Sequence, residues 1–131
     1  MRRLGLLAVL LSVLLVVPLA FSQRATAQDA SSAHGKYLVA LAGCGDCHGE
    51  KLQGGPLFFQ PAKGVKLPGP WASKAPKIAG FPMFKTDAQA VTFLKTGVMP
   101  DGSHPRIPMP DFRFNDADAK AVVAYIRAFP H

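Results

Sequence analysis

The stretch that most narrows what this chain can become is Cys44-Gly45-Asp46-Cys47-His48. It holds both cysteines of the 131-residue sequence, with a histidine directly after the second. A disulfide here would close a tiny loop and constrain the unfolded chain little. A zinc centre would need two further ligands, and His34, His104, His131 and the carboxylates are not paired to supply them. A redox-active dithiol would open a helix within a βαβ pattern, and no such pattern is visible. Placed on one turn of helix, the two thiols reach the two vinyl groups of a haem, and the next residue lies under the iron. Cys-x-x-Cys-His is the attachment pattern of a c-type haem. Cys44 and Cys47 are therefore expected to hold one haem through two thioethers, and His48 to ligate its iron.

The chain's opening fits a covalently held cofactor. Met1-Arg2-Arg3 is followed by an uncharged apolar run from Leu4 to Ala20 and by the small-x-small triplet Ala25-Thr26-Ala27. This is the layout of a secretory signal peptide, with cleavage expected after Ala27 and export to the periplasm. The competing reading is a retained membrane anchor, since the apolar run is nearly long enough to span; membrane association is expected only in that case. The expected division is residues 1–27 as signal peptide and 28–131 as one small domain. Arg2, Arg3 and Arg24 leave with the leader, so the remainder carries 12 Lys+Arg against 8 Asp+Glu, a net +4. That excess is mild and scattered, and gives no ground for nucleic-acid binding.

Downstream of the leader, Ser31 and Ser32 are N-cap residues for a helix over residues 33–44, with Tyr37, Leu38 and Leu41 on or near one face. Gly35 inside that helix marks either close backbone approach to another helix or a frayed first turn. From Gly49 to Lys85 the sequence is rich in Gly and Pro without a sustained period, and reads as a long irregular wrap. A flat apolar macrocycle would supply the core that such a segment lacks. Leu57, Phe58, Phe59, Trp71, Ile78, Phe81 and Phe84 are the residues available to cover it. Thr86-Asp87-Ala88-Gln89 is a capping-box pattern for a short helix ending at Gly97. Asn115 caps a terminal helix whose apolar stripe is Ala119, Val122, Val123, Ile126 and Phe129.

Six-coordinate iron needs a group on the face opposite His48. Met83, Met99, Met109 and His104 follow the motif. Met109 is favoured because Pro108 and Pro110 restrict its loop. Met99 trails a helix end and precedes Pro100, and is the second choice. His104 would give a bis-histidine centre of lower potential.

These residues resemble class I cytochromes c over most of residues 33–129. The likeness rests on Cys44-Gly45-Asp46-Cys47-His48, on Met109-Pro110 and on the N- and C-terminal helices. The stretch from Gly97 to Phe129 is similar to the small cytochromes that serve membrane-associated or periplasmic dehydrogenases. The resemblance implies an all-α cytochrome c fold, with three to four helices and long loops wrapped around one covalently bound haem c. It also puts the axial ligand at Met109. Ala75 to Gly80 looks like the family segment in which a proline carbonyl accepts the N–H of the axial histidine and an aliphatic side chain touches the ring. Those roles fall to Pro76 and Ile78. Between His48 and Pro76 the chain departs from the compact members, being longer and carrying Trp71 and the Phe58-Phe59 pair.

The implied function is that of a mono-haem carrier, not an enzyme. It would pass single electrons between a dehydrogenase or respiratory complex and an acceptor such as a terminal oxidase or another cytochrome. Lys51, Lys63, Lys66, Lys74 and Lys77 would ring the exposed haem edge and steer an acidic partner. The alternative class is a haem-based gas sensor or small peroxidase-like enzyme with a labile sixth ligand. The restricted Pro-Met-Pro loop argues against it.

Overall fold

A computed structural model describes residues 31–130 of the chain. The expected signal peptide and its cleavage after Ala27 lie outside the described residues. Four helices and one very short β ladder make up the described architecture: α1 over residues 31–41, α2 at Cys44–His48, β1 at Gly55–Pro56, β2 at Lys74–Ala75, α3 at Asp87–Thr96 and α4 at Asp116–Ala128. The content is predominantly helical, with long loops between α2 and α3 and between α3 and α4.

Helix α4 forms where the apolar residues recur at helical spacing. Ala119, Val122, Val123 and Ile126 are buried on one face, while Phe129, just beyond the helix, is half-buried. Asn115 caps it, its Oδ1 accepting from the Asp118 N–H at 2.9 Å. Helix α3 is capped by Thr86, whose Oγ1 accepts from Gln89 N–H at 3.3 Å, and ends at Gly97, whose N–H returns to Phe93 O. Lys85 N–H donates to Gln89 Oε1, so the Gln89 side chain reaches back past the cap to the residue before it. Helices α3 and α4 pack together, and Asp116 joins them by an ion pair to Lys95 at 3.1 Å, while its pair with Lys120 at 2.6 Å lies within α4.

Helix α1 differs from its sequence reading in three respects. Ser31 and Ser32 lie inside the helix rather than capping it. The helix stops at residue 41, and Gly43, at φ 65°, turns the chain before α2 begins. Such a left-handed position suits a residue without a Cβ. The buried face is Gly35, Leu38 and Val39, while Tyr37 and Leu41 are 60% and 68% exposed. Gly35 sets this rotation. A Cβ there would run into the Ala121 carbonyl oxygen and come within 2.8 Å of Tyr125 Cβ. The two helices therefore meet backbone to backbone at Gly35, and the residues flanking that crossing are the ones buried.

The Gly/Pro-rich segment is not wholly irregular. Gly55 pairs with Ala75 and Pro56 with Lys74 in an antiparallel two-stranded ladder, and Trp71 bridges to Ile107 in parallel register. Leu57 N–H to Ser73 O at 3.0 Å extends the ladder, and Ala72 N–H to Ile107 O at 2.7 Å ties the wrap to the loop before α4.

Candidate functional site

Helix α2 consists of Cys44, Gly45, Asp46, Cys47 and His48 alone. One short helix therefore carries both thiols and the imidazole, and presents all three to the same cavity. Cys44 and Cys47 are half-buried and not joined to each other; His48 is 5% exposed. Burial pushes the Cys44 thiol up to about 11, with the nearby Asp46 and Cys47 adding smaller upward pushes against an opposing backbone hydrogen bond. A thiol so protonated at neutral pH is a poor thiolate nucleophile, which weighs against a redox-active dithiol.

The cavity occupies about 370 Å³ and its walls are mainly apolar. Leu38 comes from α1, Leu57 and Ile78 from the wrap, Phe93 from α3, and Val122 and Ile126 from α4. Every described helix except the short motif helix thus contributes buried core side chains to the wall of this space. Lys74 and Arg106 also line it, and no carboxylate does among the described residues.

His48 Nδ1 lies 2.7 Å from the Pro76 carbonyl oxygen. A carbonyl can only accept, so Nδ1 is the donor, and in the neutral ring the lone pair is the one on Nε2. The imidazole is thereby held in the tautomer a metal ligand requires, and its orientation is fixed by a second residue. Pro76 is positioned in turn from both sides. Its predecessor Ala75 is in β2, and Ile78 and Ala79 both donate to the carbonyl of Leu52 at 2.9 and 3.0 Å. Leu52, four residues after the motif, adopts a left-handed backbone (φ 53°), and its carbonyl meets that segment.

Of the residues singled out from sequence, Cys44, Cys47, His48, Pro76, Ile78 and Met109 all border the cavity. So do Met83, Met99 and His104, which makes the cavity a meeting point for all four potential donors to a sixth position. Met109 is half-buried, and its N–H closes a turn to Arg106 O at 3.1 Å; His104 is 57% exposed and 3.8 Å from Asp111. Leu57, Phe81 and Phe84 are buried and line the space. Phe58 does not cover it, being 84% exposed. Its ring leads instead through Phe59, at 5.0 Å, to Trp71, at 5.8 Å from Phe59.

Arg106 escaped the sequence reading, and two residues it named take more specific places than expected. Lys74 and Arg106 bring fixed positive charge to the cavity wall, and Trp71 Nε1 is buried without a protein partner. Trp71 adjoins Ala72, itself a lining residue. A buried N–H of this kind calls for an acceptor. A signal for it existed in the sequence, since Trp71 is the chain's lone tryptophan and sits in a polar, Gly/Pro-rich stretch.

The donor set and the cavity together fit a haem held by two thioethers. They provide two thiols and an oriented imidazole on one turn, an apolar chamber for a macrocycle and two cations for its carboxylates. The family model described as Cytochrome c matches residues 32–129. No curated protein and no solved structure matches the chain.

Proposed function

The chain belongs to the cytochrome c family, and from that premise we propose that it is a periplasmic mono-haem carrier with His48 and Met109 as axial ligands. The family is one of electron-carrying proteins with covalently attached haem c, and Cys44 and Cys47 stand at the attachment positions of its motif. When bound, haem iron supplies one-electron chemistry by cycling between ferrous and ferric states.

The observation that carries the reading is the 2.7 Å hydrogen bond from His48 Nδ1 to Pro76 O. It leaves Nε2 as the free lone pair on a buried, fixed ring. Cys44 and Cys47 would hold the haem, Ile78 would press on it, and Met109 would close the opposite face from between its two prolines. A site closed on both faces gives a substrate no position on the metal. The protein is therefore read as a carrier rather than an enzyme, passing electrons between a dehydrogenase or respiratory complex and an acceptor such as a terminal oxidase or another cytochrome. Lys51, Lys63, Lys66 and Lys74 are exposed, which supports attraction of an acidic redox partner through a transient interface.

The purified protein tests this through its absorption spectrum. A low-spin ferric spectrum with a weak far-red methionine–iron band is expected, and Met109→Ala should abolish that band. If Met99→Ala abolishes it instead, the ligand assignment moves to Met99. A high-spin ferric parent that binds carbon monoxide readily on reduction would favour the gas-sensor or peroxidase-like class. Colour removed by acid-acetone extraction would overturn covalent attachment.

A further inference from the structure

The turn from Gly80 to Phe84 closes part of the cavity and is held by a single side chain. Arg127, in the last turn of α4, donates from Nη1 to Gly80 O at 2.8 Å and to Phe81 O at 3.2 Å, and from Nη2 to Phe84 O at 3.0 Å. Its Nε donates to Asp87 Oδ1 at 2.9 Å, at the start of α3. The same helix also takes the turn's leading amide, since Gly80 N–H donates to Ile126 O at 2.9 Å. One guanidinium thus links α4, α3 and three carbonyls of one turn.

The turn needs such a clamp. Phe81 sits at φ 47°, a left-handed conformation in a residue with a Cβ, which is strained and persists only where surroundings enforce it. The conformation places the Phe81 ring, 3% exposed, on the cavity wall at 5.3 Å from Phe84, which stands at 5.3 Å from Phe93. Met83 in the same turn also lines the cavity. Upstream, without a break, lie Ile78 and the Pro76 carbonyl that accepts from His48.

We propose that Arg127 is a positioning residue for the haem site: by clamping the Gly80–Phe84 turn it keeps the aromatic wall closed and the Pro76–His48 hydrogen bond shielded, and so sets the reduction potential. This inference rests on haem ligation by His48 but not on which residue fills the sixth position. Ferric haem carries one more positive charge than ferrous, so water admitted past a loosened wall favours the ferric state and lowers the potential. Arg127 touches none of the expected ligands. Its influence runs through the turn.

The test uses holoprotein carrying Arg127→Gln, Arg127→Lys or Asp87→Asn, with two readouts: the midpoint potential and the solvent exchange of the His48 Nδ1 proton followed by NMR. Arg127→Gln should lower the potential and speed that exchange at least tenfold, with the axial-ligand bands retained. Arg127→Lys, which keeps the charge and part of the bonding, should fall between Gln and parent. Asp87→Asn leaves the three carbonyl bonds and unmasks the guanidinium charge, so its potential should not fall. Destabilised variants with unchanged potential and exchange would reduce Arg127 to a structural brace and overturn the proposal. If Arg127→Gln gives no folded holoprotein, an unchanged potential in Arg127→Lys overturns it equally. A parent protein without histidine-ligated haem would instead refute the carrier reading, and is recognised beforehand from the parent spectrum.

Discussion

Gly35 and Pro76 show how differently two residues can matter at one site. Gly35 matters for the atom it lacks. A methyl group there meets the Ala121 carbonyl, which is backbone inside α4 and has nowhere to move. Gly35→Ala should therefore pry the two helices apart and cost roughly 1–3 kcal/mol, read from guanidinium unfolding of the haem-loaded protein; an unchanged midpoint would mean the crossing is looser than its geometry. Pro76 matters for an atom every residue has. The oxygen that accepts from His48 belongs to the backbone, so Pro76→Ala keeps the acceptor. The expected loss is about 0.4–1 kcal/mol, through the greater freedom of the unfolded chain, with the absorption bands of the iron ligands unmoved. A shift of those bands would show that the proline ring, rather than its carbonyl, orients the imidazole.

Between elements, caps and ion pairs do what single contacts cannot, and they were also the most legible part of the sequence. Thr86 with Gln89 and Asn115 with Asp118 announced the starts of α3 and α4, because capping depends on residues three apart and needs no tertiary information. The contiguous Cys44–His48 motif was legible for the same reason. The buried face of α1 was not, because its rotation is decided by Ala121, far along the chain. Nor was the two-residue ladder at Gly55–Pro56, too short to show alternation. The clamp by Arg127 was invisible as well: an arginine in a last helical turn reads simply as a complement to the helix dipole. The α3–α4 junction yields a pH prediction. Asp116 is held below the ordinary carboxylate range, first by its hydrogen bond from Lys120, then by that from Lys95. A folded pKa below the unfolded value stabilises the fold at pH above the unfolded value, near 3.9, and that stability is lost as pH falls through the folded value. Asp116→Asn should thus be less stable than the parent at pH 7 and converge with it in acid, as urea unfolding at several pH values would reveal. A constant gap down to the acid limb would place the effect in packing instead.

For the molecule as a whole, the cavity decides whether this fold stands without its cofactor. At about 24 cal/mol per Å³ of unfilled volume, 370 Å³ corresponds to at most about 9 kcal/mol. It is an upper bound because the space opens to solvent. That figure is comparable to the whole stability of a small domain, roughly 5–15 kcal/mol. Helices α1, α3 and α4 all turn apolar side chains into the same space, so the haem would be their shared core and not a passenger. A chain with both Cys44→Ala and Cys47→Ala, isolated without haem, should consequently lose its fixed packing before its helices. The capped α3 and α4 can keep part of their hydrogen bonding, while Phe81, Phe84 and Phe93 lose what they pack upon. Far-UV circular dichroism should retain much of the helical signal, near-UV signal should vanish, and a dye that reports exposed apolar surface should bind. Heating should give a broad, non-cooperative change. A sharp two-state transition in that colourless chain would mean that the walls collapse onto one another and that α1, α3 and α4 have a second, self-sufficient way to pack.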